Sequence, residues 1–271
     1  MNYFNTQIGF GTADLANNRH SEHWTRDKIA MRHAVEVGYH VFDTAEMYGD
    51  GKTETMMGEV LAESGKRDQL HIVSKVLPVN AVSKDSIMAS CRASINRMCC
   101  DYIDTYLLHW RRPDDLFFAP IIEAFMELQH LGLIKKFGVS NFSRRWMEEW
   151  RLVEQQLGSD QFVTNQNHYS VSCRDPEKYY LDWMADNNLT FMAYSPLNNT
   201  RNQILNNTRF LNVAEAHGYN PAQLAVAWTI QRPNVIVIPR SADKRHIESN
   251  LLATKLKLTT EVLADLDKLF L

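Results

Sequence analysis

The sequence predicts an α/β fold of the closed (β/α)8 type, and three observations carry that expectation. Apolar, strand-like runs alternate with amphipathic helical stretches eight times along the 271 residues, the order expected of a parallel sheet wrapped in helices. Four of the runs stop on polar groups: Asp43, Lys75, His109, and Ser140 with Asn141. Runs two, four, seven and eight are apolar at successive positions, as strands covered on both faces must be. If neighbouring strands run parallel, the polar ends meet at one rim, where barrels of this kind keep their active sites.

The elements follow in order. Strand one is expected at 7–11. The helix after it carries Ile29, Ala34 and Val37 at helical spacing, with Thr25 set to cap its start and Gly38 to end it. Strand two ends at Asp43, and its helix covers 53–63 with Met56, Met57, Val60 and Leu61 inward. Strand three reaches Lys75. Ser83 is the expected N-cap of helix three, whose inner face is Ile87, Cys91, Ile95 and Met98. Strand four is 103–108, and helix four holds Ile121, Ile122, Phe125 and Leu128 before closing at Gly132. Strand five, 134–139, leads into a helix around 145–156. Strand six reads as short, 162–165, and helix six as one piece over 176–187. Strand seven is 189–194, helix seven 221–231 and strand eight 235–238. The stretch 260–271 reads as a last amphipathic helix.

No linker or composition break divides the chain, so one domain spanning 1–271 is expected, close to the roughly 250 residues such a barrel needs. A doubly wound sheet is the alternative, but the turn after strand one has Gly9 and Gly11 and then Asp14, without the third glycine of a dinucleotide fingerprint. The net charge is -3 with no basic block, which argues against nucleic acid as a partner. No apolar stretch approaches membrane-spanning length. The N-terminus lacks a basic segment followed by an apolar one, so no signal peptide is expected. Cys91, Cys99, Cys100 and Cys173 make no CxxC pair, and reduced thiols in a cytoplasmic protein are the plain reading. His20, His23 and His33 lack HExxH spacing, so no metal is expected.

The rim groups suggest a chemistry when taken together. Singly, each has a bland role: Asp43 a cap, Tyr48 a loop residue, Lys75 a strand end, His109 a satisfied core histidine. Tyr48 lies five residues beyond Asp43, and Lys75 ends the next strand. An ammonium about 4 Å from a phenol interacts by roughly 4 kcal/mol at an effective dielectric of 20, or about 3 pK units. That would bring Tyr48 toward neutrality as a general acid. Asp43 would keep Lys75 charged, and His109 could hydrogen-bond a carbonyl oxygen. A Schiff-base role for Lys75 needs a neutral amine, which Asp43 opposes.

Ordered along the chain, these segments resemble the aldo-keto reductase family. They are Ile8 to Thr12, Phe42 to Gly49, Val73 to Lys75, Asp104 to Trp110, Gly138 to Phe142, Thr164 to Gln166, Ala193 to Leu197, and Ile238 to Ser241 with Asn250. The resemblance implies a (β/α)8 barrel holding a nicotinamide dinucleotide without a Rossmann domain. It implies a catalytic tetrad of Asp43, Tyr48, Lys75 and His109, with Tyr48 the proton donor. It assigns Ser140, Asn141 and Gln166 to the carboxamide and Tyr194 to stacking on the nicotinamide. Gly11, Thr12 and Asp43 border the cofactor, and Ser195, Pro196 and Leu197 line the pyrophosphate path. Ile238, Pro239, Arg240, Ser241, Arg245, His246 and Asn250 face the adenosine end. Tyr48, His109 and Trp110 would meet the substrate, a small carbonyl compound.

The same resemblance marks departures. His246 stands where an arginine is usual in NADPH-preferring members, and Ser249 where a glutamate contacts adenine. Arg240 and Arg245 can serve a 2′-phosphate instead, so NADPH (NADP+) is the expected cofactor and NADH the lesser alternative. The N-terminus is too short for a floor-plugging hairpin, and the C-terminus for a long substrate-closing loop. A short rim resembles prokaryotic reductases of small aldehydes such as methylglyoxal. The rival reading is a cofactor-binding regulatory subunit of this fold, as ion-channel β-subunits of the family are, with little turnover.

Overall fold

The computed structural model describes residues 2–16, 22–112, 117–197 and 204–270; His20 and Leu271 lie outside them. Eight strands hydrogen-bond in the order β1 to β8, each parallel to the next. They are β1 (Phe10–Gly11), β2 (Val41–Asp43), β3 (His71–Val76), β4 (Ile103–Leu108), β5 (Ile134–Ser140), β6 (Phe162–His168), β7 (Thr190–Tyr194) and β8 (Val235–Val237). The ring closes between the last strand and the first. Gly9 N donates to Val237 O at 2.8 Å, Val237 N to Gln7 O at 3.0 Å and Gly11 N to Pro239 O at 3.0 Å. The result is a (β/α)8 barrel with no free sheet edge.

Side chains of a strand point alternately to its two faces, and the core divides accordingly. Phe42, Ile72, Tyr106, Phe137, Phe191 and Val237 join the large outer cluster with the helices. Val41, Val73, Leu107, Met192 and Ile236 form a separate inner cluster with Phe4 and Ile238. Two residues further along, the inner face presents Asp43, Lys75, His109 and Tyr194. The floor is filled by residues of the N-terminal segment: the Phe4 and Tyr3 rings sit edge-on to His71, at 4.9 and 5.4 Å.

The helices α1 (Glu22–Val37), α2 (Lys52–Ser64), α3 (Lys84–Met98), α4 (Ala119–His130) and α5 (Arg144–Gln156) match the expected ones, except that Thr25, expected to cap α1, lies within it: the helix begins at Glu22 and already buries Trp24. Ser83 caps α3 in a reciprocal box with Ser86. Elsewhere the structure corrects the reading in four places, three of them beyond β5. β6 continues to His168, because ladder hydrogen bonds need no apolar side chain and the polar run Asn165 to His168 pairs with β7. The single helix expected over 176–187 breaks at Tyr180 (φ −155) into α6 (Asp175–Tyr179) and α7 (Leu181–Asp186); the Tyr180 ring turns onto Phe191, 5.9 Å away. Two helices were missed beside α9 (Pro221–Thr229): α8 (Thr208–Ala216), capped by Asn207, and α10 (Lys244–Ala253), capped by Asp243. β1 is only two residues long, because Ile8 makes an isolated bridge to Val237 instead of extending the ladder. The last helix, α11 (Thr260–Phe270), is as expected. No helix among the described residues is long and apolar enough to cross a membrane.

Candidate active site

Lys75 is completely buried on the inner face of β3. Its ammonium donates to both Asp43 oxygens, at 2.8 and 2.9 Å, to Thr44 O at 2.7 Å and to the Tyr48 hydroxyl at 3.3 Å. Burial by itself would push the Lys75 pKa down; Asp43 and Tyr48 outweigh it and hold the ammonium above its ordinary value. Asp43 also accepts from Gln166 Nε2 at 2.6 Å. A buried charge without partners would cost several kcal/mol, so this degree of pairing is what makes it tolerable.

The loop after β2 delivers Tyr48 to the lysine. Tyr48 N donates to Ala45 O, closing a turn. Glu46 accepts from Leu77 N at 2.6 Å and Asn80 Nδ2 at 3.0 Å, tying the turn to the segment after β3. The Tyr48 ring lies edge-on to His109 with centroids 5.9 Å apart, and His109 is 4.8 Å from Trp110. The four groups expected at one rim are therefore together, with the half-buried Trp110 beside them.

The electrostatics correct one expectation. Burial raises the Tyr48 pKa above its ordinary 10, and the Lys75 ammonium only partly opposes it. The Coulomb argument from sequence left out desolvation, which penalises the phenolate in an apolar wall. Burial, assisted by Lys75, lowers His109 to about 3, so its imidazole is neutral. Its Nδ1 is buried without a hydrogen-bond partner.

The other candidates form a second arc. Ser140 Oγ donates to Gln166 O at 2.9 Å. Asn141 Nδ2 donates to His109 O and Ser140 Oγ, at 3.1 and 3.0 Å, and its Oδ1 accepts from the Tyr194 hydroxyl at 2.9 Å. Asn141 (φ 60) and Ser195 (φ 53) both adopt the left-handed conformation just past their strands, a strain that clusters at ligand sites. Thr12 binds Asp43 O through its amide and its hydroxyl, at 3.0 and 2.8 Å. Gly11 is needed for ring closure, since a Cβ there would stand 2.6 Å from Ile238 O. Ser195, Pro196 and Leu197 follow β7, and Ile238 and Pro239 follow β8.

At the far end Arg240 bridges two loops, donating to Ala13 O at 3.1 Å and lying 3.6 Å from Asp14. Arg245 is paired with Asp243, its helix's own cap, at 2.9 Å. Ser241 and Asn250 are buried and His246 is exposed. This donor set fits a nicotinamide dinucleotide: an aromatic ring and amide groups beside Lys75 and Tyr48, and guanidinium groups at the other end for phosphate. Among the described residues no group of three His, Cys, Asp or Glu could hold a metal.

Sequence reasoning missed three contributors: Thr44, whose carbonyl accepts from Lys75, Glu46, which pins the Tyr48 turn, and His168, which stacks on Tyr194 at 5.6 Å and 8°. Glu46 sits inside the Asp43–Tyr48 segment and could have been suspected. Nothing in the short reading of β6 pointed to His168.

Comparison with known proteins agrees with this geometry. The model of the Aldo/keto reductase family matches residues 7–270. Methylglyoxal reductase YeaE of Escherichia coli (strain K12) is 38% identical over 245 residues, covering 89% of this chain and 83% of the relative. Methylglyoxal reductase DkgB of Yersinia pestis is 31% identical over 237 residues, covering 87% and 84%. A Klebsiella pneumoniae aldo/keto reductase, solved with NADP and acetate, superposes with a TM-score of 0.88 at 35% identity, covering 97% of this chain and 91% of that one. With its barrel closed and these matches running nearly end to end, the chain belongs to the aldo/keto reductase family.

Proposed function

We propose that this protein is an NADPH-dependent reductase of aldehydes and reactive dicarbonyls, methylglyoxal among them, with Tyr48 as proton donor. One observation carries the reading: a fully buried ammonium held by Asp43 and bonded to the Tyr48 hydroxyl at 3.3 Å. The dinucleotide, when bound, supplies the hydride. The chain handles the oxygen. Tyr48 keeps its proton because burial disfavours the phenolate. As negative charge grows on the carbonyl oxygen, Tyr48 gives that proton up, and the phenolate formed lies against the Lys75 ammonium. Neutral His109 donates a second hydrogen bond to the same oxygen, where fixed donors count most. Asp43 keeps Lys75 charged through the cycle.

Ser140, Asn141 and Gln166 are assigned to the carboxamide and Tyr194 to the nicotinamide face. Gly11, Thr12, Ser195, Pro196 and Leu197 border the diphosphate. Residues 238–250, with Arg240, Ser241, Arg245, His246 and Asn250, take the adenosine end. Trp110 walls the substrate pocket. The NADP bound to the Klebsiella relative and the names of the Escherichia and Yersinia relatives support cofactor and substrate class. We further propose that one domain, residues 1–271, carries the whole activity, in the cytoplasm, where its four free thiols stay reduced.

Tyr48→Phe tests the assignment. Turnover of methylglyoxal should fall about 100-fold or more, while NADPH affinity measured by fluorescence titration stays nearly intact. Turnover preserved in this variant removes Tyr48 from the proton-donor role. Wild-type protein that binds NADPH tightly yet reduces no aldehyde in a panel is instead a regulatory subunit.

A further inference from the structure

His168 lies outside the tetrad and outside the carboxamide triad, yet it is built into the same rim. It ends β6, two residues beyond Gln166 and on the same face, and it is the direct cross-strand partner of Tyr194 at the end of β7. The two rings are within 8° of parallel with centroids 5.6 Å apart. Among the described residues every other close aromatic pair is tilted or edge-on, the smallest interplanar angle among them being 35°, so this parallel arrangement is particular to the pair. Tyr194 is fixed at its other end, where its hydroxyl donates to Asn141 Oδ1 at 2.9 Å. Asn141 in turn binds Ser140 and the backbone of His109. The Tyr194 ring is thus held at both ends: a stacked imidazole along one face and a hydrogen bond at the hydroxyl.

We propose that His168 is a positioning residue that holds the Tyr194 ring at the tilt needed to receive the nicotinamide. The inference rests on the reading that Tyr194 stacks on that ring. A flat surface pre-set before binding loses less ordering entropy when its ligand arrives. His168 contributes by shape and flatness, so another planar apolar ring should replace it, and an alanine should not. Its effect is confined to the nicotinamide half of the ligand, because residues 238–250 at the adenosine end belong to a different loop and helix.

The experiment compares two ligands in four proteins: NADPH and adenosine 2′,5′-bisphosphate, which lacks the nicotinamide, titrated by calorimetry into wild type, His168→Ala, His168→Phe and Tyr194→Ala. The proposal expects His168→Ala to weaken NADPH about 3- to 10-fold, the range of an offset aromatic pair. It expects no change for adenosine 2′,5′-bisphosphate, and His168→Phe to restore most of the NADPH loss. Unchanged or tighter NADPH binding in His168→Ala overturns it. So does an equal loss for both ligands, which marks a general structural role, and so does failure of His168→Phe to restore binding. Tyr194→Ala separates the two levels. If it weakens NADPH while His168→Ala does not, only the role of His168 fails. If it leaves NADPH unchanged, the stacking assignment of Tyr194 fails first.

Discussion

Lys75 concentrates the energetics of the site in one side chain. A lysine with no exposed surface is stable here only because four oxygens surround its nitrogen. Lys75→Met should therefore destabilise the fold by about 3–5 kcal/mol, as buried pairs broken from one side do. Adding Asp43→Asn should recover part of that loss, since the orphaned charge is then removed. Urea unfolding of the two variants reads both effects; a single variant as stable as wild type contradicts the reading. At the end proposed for adenosine, Arg240 is oriented by Ala13 and Asp14, while Arg245 is engaged by Asp243. Arg240→Ala should then weaken NADPH about tenfold or more and NADH little, the difference being the charged hydrogen bonds to a 2′-phosphate. Equal loss of the two cofactors on titration points to a backbone-holding role alone. Of these residues, Asp43, Lys75 and His109 were legible from their positions at strand ends, and Tyr48 from its place in the loop five residues beyond Asp43. His168 was not, because its contact with Tyr194 exists only across strands distant in sequence; Glu46 lay within a legible segment, but its partners Leu77 and Asn80 did not show.

At the scale of elements, alternation and capping did most of the specifying. Ser83, Gly38 and Gly132 mark helix ends in the sequence, and all three do so in the structure. The weak points were where packing overrode local pattern: the polar end of β6, the break at Tyr180 and the short capped helices α8 and α10. β5 shows how tightly these elements pack. Its register with β6 shifts between Phe137 and Gly138, and a Cβ on Gly138 would stand 2.4 Å from Thr164 O. Backbone cannot yield as a flexible side chain can. Gly138→Ala should cost about 1–3 kcal/mol or more and disturb Ser140 and Asn141 further along the strand. A lowered urea midpoint together with weaker NADPH binding is the expected pair of results. A variant indistinguishable from wild type in both would mean β5 has slack that the contact distances deny.

For the whole molecule, closure and a sealed floor set the response to acid. Burial lowers His71 from 6.5 to about 4 and His109 to about 3. The unfolded chain therefore takes up protons at these sites near pH 6.5, while the folded chain does so only near pH 4 and 3. Protons then favour the unfolded state, and stability falls as pH drops from about 6.5 toward 4. The His71 share of that loss is on the order of 3 kcal/mol. Urea midpoints at pH 7 and pH 4.5 should separate strongly in wild type and less in His71→Asn. Equal separation in the two proteins would mean His71 is not the group that binds the proton.

By itself the sequence determined the fold class, the order of its units and the four polar groups that end its strands. Those features are written in periodicities of two to four residues and in strand-end chemistry, which neighbours along the chain suffice to specify. Tertiary packing alone encloses Lys75 completely, raises the Tyr48 pKa against the pull of the Lys75 charge, and brings His168 onto Tyr194. The physical reason is that desolvation and ring contacts depend on what surrounds a group in three dimensions. Until β8 closes onto β1, the polar strand ends have no common interior to share.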